Sequence, residues 1–115
     1  MGNWSRRQRL VQEVRSIVSE KIEWSDADTL SLRVMRSLEK EMTFKELREY
    51  NTLSTYERAT RLLGREGEDF TQALLELSAQ FYIEMRTIIV RGMPPAIHIR
   101  RRIDHLMGPW GPRPA

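Results

Sequence analysis

Apolar side chains recur every three to four residues through most of this chain, and that spacing narrows its possible folds more than any other feature. Leu10, Val11, Val14, Ile17, Val18 and Ile22 fall on one helical stripe, with Arg6, Arg7, Arg9, Glu13 and Glu20 mostly off it. Leu30, Val34, Leu38 and Met42 step by four along a second stripe, with Met35 beside them. Ser25 reads as the N-cap of that second helix, and Asp26 and Asp28 suit its positive end.

Two capping boxes come next. Thr43 with Glu46 opens a short helix whose apolar side holds Phe44, Leu47 and Tyr50. Residues 51–53 make a turn, and Ser54 with Glu57 opens the next helix, which runs through Leu62 and Leu63 and ends at Gly64. Residues 64–67 form a joint. From Asp69 to Arg91 the spacing predicts one long helix, marked by Phe70, Ala73, Leu74, Leu77, Phe81, Met85, Ile88 and Ile89. Tyr82, Ile83 and Val90 fall off that stripe, so residues 81–90 are apolar almost all round, as in a helix covered on several sides. In so short a chain a second copy is expected to supply the cover. Gly92 reads as a C-cap, and Pro94 and Pro95 start a last helix bearing Ile97, Ile99, Ile103, Leu106 and Met107. The expectation is an all-α fold: a small bundle of five or six helices with one long central helix, completed by dimerisation. Residues 1–108 form a single helical domain, and residues 109–115 a Pro-rich flexible tail whose Trp110 suits a docking peptide.

Composition removes whole classes of chemistry. With 115 residues there is room for one core. Without cysteine, disulfides, thiol catalysis, thiolate zinc sites and iron–sulfur clusters are excluded. No apolar run approaches the roughly 20 residues of a membrane span, and no apolar stretch of a secretory signal comes after Met1, so an intracellular location is expected. Gly2 invites myristoylation, but Arg6 stands where that motif wants Ser or Thr.

Catalytic and metal motifs are missing. His98 and His105 are seven residues apart, about 10.5 Å along a helix at roughly 1.5 Å per residue, too far to chelate one ion. The acids fall in first-turn and i, i+4 positions, and no phosphate loop, nucleophile elbow or calcium loop is present. A non-enzymatic protein without a cofactor is expected. The segment 43–63 could be a helix-turn-helix with Arg58, Arg61 and Arg65 as contacts, but its turn lacks glycine and its surroundings are acidic, which favours a plain helical hairpin.

Charge is uneven. Residues 1–50 sum to +1, residues 51–85 to −3 and residues 86–115 to +5. Sixteen arginines against three lysines suit phosphate or carboxylate recognition, although a GC-rich genome gives the same bias. Arg91, His98, Arg100, Arg101 and Arg102 form the densest cationic stretch, and Arg6, Arg7 and Arg9 extend it if the termini meet. A row of this kind neutralises the phosphates of a nucleic-acid duplex, dsRNA or dsDNA, without reading bases. Trp4, Trp24 and Trp110 are not interleaved with arginines as a single-strand stacking platform would have them.

The function expected is therefore duplex binding by a homodimer joined through Leu77, Phe81, Tyr82, Met85, Ile88 and Ile89, such as a viral, phage or plasmid accessory factor. In architecture, a long helix, a proline break and a short basic helix resemble the small helical double-stranded RNA-binding dimers of some RNA viruses. The alternatives are an adaptor or inhibitor that captures an acidic or apolar protein surface, and a structural scaffold subunit.

Overall fold

The computed structural model describes residues 2–20 and 23–102, with side chains from Arg6 onward. Among these residues lie five α-helices, one 3-10 turn and a three-stranded sheet. The helices are α1 (Gly2–Ser19), α2 (Ala27–Lys40), α3 (Phe44–Tyr50), α4 (Thr55–Leu63) and α5 (Glu68–Ala79); the strands are β1 (Ser25–Asp26), β2 (Ile83–Ile88) and β3 (Ala96–Arg101).

The expected stripes of the first two helices form the core. Leu10, Val14 and Val18 of α1 and Leu30, Val34 and Leu38 of α2 are buried, and Val11, Ile17, Met35 and Met42 pack around them. Helix α1 packs along α5, which contributes Phe70, Ala73, Leu74 and Leu77 to the same core. Arg6 reaches Asp69 at 2.8 Å and Arg15 lies 4.4 Å from the centre of the Tyr82 ring, so α1 and α5 run side by side in the same direction. Both capping boxes are present, at Thr43 with Glu46 and at Ser54 with Glu57. Phe44, expected on the apolar side of α3, is exposed, whereas Tyr50 is buried with its hydroxyl donating to Glu39 at 2.5 Å. The cap of α2 is Asp26, whose carboxylate accepts from the Thr29 N–H at 3.1 Å; Ser25, expected in that role, belongs to β1.

Beyond residue 79 the structure corrects the all-α expectation. Instead of continuing to Arg91, α5 closes with a paired C-terminal motif. The Phe81 N–H donates to the Ser78 carbonyl and the Tyr82 N–H to the Leu77 carbonyl, each at 3.0 Å. That motif needs a left-handed residue after the cap, a position where glycine is usual. Here Phe81 takes it, at φ 60°. The chain then reverses as an antiparallel hairpin, with Ile83 opposite Arg101, Met85 opposite Ile99 and Ile88 opposite Ala96. The two residues of β1 pair with the far side of β3, giving the strand order β1-β3-β2. The fold is α+β.

A period of two explains the hairpin. Opposed residues share a face of the sheet. Ile83, Met85, Ile97 and Ile99 therefore turn to one side, where Ile83 and Ile99 are fully buried against the helices. Gly92, at φ 82°, lies in the connecting loop of residues 89–95, because a hairpin loop and a helix cap both use left-handed backbone. The last helix is likewise corrected: Ile97, His98 and Ile99 are strand residues. Ile22, Ile103, His105, Leu106, Met107 and the tail 109–115 lie outside the described residues. Among the described residues no helix is long and apolar enough to cross a membrane.

Candidate nucleic-acid interface

The face of the sheet turned away from the helices carries Glu84, Arg86 and Ile88 from β2 and Ala96, His98 and Arg100 from β3, with Asp26 beside His98. All are at least partly exposed. Trp24, just before β1, joins them: its ring centre lies 4.0 Å from the guanidinium carbon of Arg86 and 4.5 Å from that of Arg100. Two cations on one indole are held by the negative face of its π-system. Arg100 also donates from Nε to the Glu84 carboxylate at 3.0 Å, directly across the ladder. Among the described residues no carboxylate comes within ion-pair distance of Arg86. His98 sits opposite Arg86, and its buried Nδ1 has no hydrogen-bond partner among the described residues.

The arginine run is split by the pleat. Arg100 faces outward. Arg101 turns under the sheet, donating from Nη1 to the Ser19 carbonyl at 2.9 Å and lying 5.4 Å from the Tyr82 ring centre. A cation there satisfies an orphan carbonyl at the negative end of α1. Arg102 comes just after the strand and lies 5.5 Å from the Phe81 ring centre. Arg91 is exposed in the hairpin loop.

Arg6, Arg7 and Arg9 are not brought to this site. They stand ten to thirteen residues before Ser19 on α1, about 15–20 Å at roughly 1.5 Å per residue. Arg6 is bound to Asp69 and Arg9 to Glu41. Arg6 and Arg9 line, with Arg61, Glu41 and Glu46, a hollow of about 310 Å³ in which each arginine already faces a carboxylate, Asp69, Glu41 or Glu49. Arg58 closes the α3–α4 turn by donating to the Asn51 carbonyl at 3.0 Å, and Arg61 lies 3.8 Å from Glu49.

The residues assigned to a dimer interface do not share one helix face. Leu77 and Tyr82 are buried inside the chain itself and Met85 packs on the same core. Ile88 is half-buried on the outer sheet face, whereas Phe81 and Ile89 are exposed.

Arg86 and Trp24 are the two members that helical reading passes over. The signal for Arg86 is the alternation of Ile83, Met85 and Thr87 with Glu84 and Arg86, echoed by Ile97 and Ile99 with His98 and Arg100; Trp24 lies outside both runs. Among the described residues no three side chains of metal-ligating type gather. Compared with family models, curated proteins and solved structures, the chain finds no match.

Proposed function

We propose that this protein binds a nucleic-acid duplex through the outer face of the β2–β3 ribbon, by charge and shape rather than by base sequence. One observation carries the reading: the ribbon from Ile83 to Arg102 holds five arginines, and two of them share the outward face with the acids Glu84 and Asp26, where Arg86 has no carboxylate within ion-pair distance among the described residues. Of those arginines, Arg86 and Arg100 are gathered with His98 around Trp24 on the outward face. Beyond His98 the sheet narrows to two strands, since β1 reaches no further. A two-stranded ribbon matches the roughly 12 Å major groove of B-form DNA, whereas the deep, narrow major groove of duplex RNA excludes it. Double-stranded DNA is therefore the favoured ligand, with Arg86 and Arg100 on phosphates and Trp24 holding their side chains in register.

The test is a salt titration of binding to labelled DNA duplex, RNA duplex and single strands. Two contacting cations per chain, Arg86 and Arg100, give a slope of log affinity against log salt of about −1.8 on DNA. Binding that obeys this slope and ranks DNA duplex first supports the reading. No binding at low salt, or binding indifferent to salt, overturns it.

A further inference from the structure

The far end of the hairpin carries apolar side chains where a loop tip is usually polar. Ile89, Val90 and Met93 are 77%, 50% and 65% exposed, with Arg91 among them. A groove of about 350 Å³ opens between α2, α5 and the inner face of the hairpin. Leu63, Phe70, Leu74, Leu75, Met85 and Ile97 line its apolar wall, and Asp28 and Glu66 stand at its border. Both acids are exposed, and among the described residues no cation lies within ion-pair distance of either.

The tip cannot fill the groove beside it. Ile89 lies four residues past Met85, about 13 Å along an extended strand. Folding back would break the pairs Thr87 with Ile97 and Ile88 with Ala96. A hairpin tip in that groove must come from another molecule, and it presents the matching surface: three apolar side chains for the wall and a guanidinium for the two carboxylates.

We propose that the groove receives the hairpin tip of a second copy of this chain, with Ile89, Val90 and Met93 against Leu75 and Phe70, and Arg91 against Asp28 and Glu66. Each copy supplies one tip and one groove, so a two-fold axis closes the exchange and covers both apolar surfaces at once. The tip ends the same two-stranded part of the ribbon that the DNA reading lays in the major groove, so the two contacts compete for it. Dimerisation is therefore measured without DNA, at residues that include none of Arg86, Arg100 and Trp24.

Sedimentation equilibrium of the full chain across the micromolar range tests it, with circular dichroism to confirm folding. The wild type is expected to dimerise. Ile89→Glu at the tip and Leu75→Glu at the groove change exposed positions, so each leaves the single chain folded. Each is expected to raise the dissociation constant by about a hundredfold or more, since two symmetric copies of an apolar contact are lost. Arg91→Glu and Glu66→Arg each weaken the dimer, and combining them restores it. Mixing the Ile89→Glu and Leu75→Glu chains yields a heterodimer tighter than either homodimer, because one intact tip then meets one intact groove. A wild-type monomer at every concentration overturns the proposal and leaves the groove to residues 103–115 or to a foreign protein. A dimer that survives Ile89→Glu and Leu75→Glu overturns it as well.

Discussion

Replacing Gly64 with alanine tests how closely the end of α4 approaches the start of α5. Gly64 has φ 87° and ψ 169°, a region used almost only by glycine and costing other residues about 1–3 kcal/mol. Space is also lacking. A Cβ there would stand 2.6 Å from Oδ2 of Asp69, 2.7 Å from its Cγ and 2.8 Å from its backbone nitrogen. The carboxylate cannot swing aside without leaving Arg6, to which it is bound at 2.8 Å, and the nitrogen belongs to the first turn of a packed helix. Overpacking of this kind costs about 1–3 kcal/mol more, for a total of roughly 2–6 kcal/mol. Gly67→Ala supplies the control: its φ is also positive, at 75°, but nothing lies within 4 Å of an added Cβ. It carries only the left-handed backbone cost, about 1 kcal/mol. Urea denaturation monitored by circular dichroism should therefore separate the two variants by at least about 1 kcal/mol. Equal losses would refute the close approach, and with it the Arg6–Asp69 link that joins α1 to α5.

The opposite substitution applies at residue 81, where Phe81→Gly should relieve the left-handed strain. Its thermal midpoint should rise, with a gain of up to about 1 kcal/mol less whatever packing on Arg102 is lost; a clear drop would show that the aromatic ring outweighs the strain. Ser54→Ala should cost about 1 kcal/mol at neutral pH in a denaturant titration. The Glu57 carboxylate is held below its ordinary value of 4.5 by the Ser54 backbone N–H and then by the Ser54 hydroxyl. Its contribution is thus present above that value and lost as pH falls, so Glu57→Gln should flatten the decline of stability in acid. The Tyr50 phenol is pushed above its ordinary value of 10.0 by burial, then by its hydrogen bond to Glu39. The neutral phenol stabilises the fold below pH 10.0 and that contribution fades as pH rises further. Tyr50→Phe should cost about 1–2 kcal/mol at neutral pH and remove this alkaline loss, as read from melts across that range.

Helices whose signals are local are legible in the sequence. The capping boxes at Thr43 and Ser54, the stripes of α1 and α2 and the stop at Gly64 all lie where side-chain chemistry within four or five residues dictates them. The end of α5 is hidden because Phe81 occupies a left-handed position that glycine usually marks, so Phe81, Met85 and Ile88 continue the spacing of Leu74 and Leu77. Beyond it, Gly92 and the two prolines suit a helix break and a hairpin loop alike. What distinguishes them is pairing between residues 83–88 and 96–101, a non-local event that local spacing does not report. The same misreading displaces the site. On a helix Arg100, Arg101 and Arg102 fan outward together; on a strand they alternate, which sends Arg101 to the end of α1 and puts Arg86 and Trp24 beside Arg100.

The most direct measurement is the salt dependence of DNA-duplex binding for Arg86→Ala and Glu84→Gln beside the wild type. Arg86→Ala removes an outward cation and should weaken binding and make the slope shallower by about 0.9. Glu84→Gln releases Arg100 from its carboxylate partner and removes a negative charge from the face; it should tighten binding and steepen the slope by up to about 0.9. Opposite shifts from two residues on one sheet face would place the duplex there. Two lines parallel to the wild type, with unchanged affinity, would mean that the outer face of the ribbon does not touch DNA.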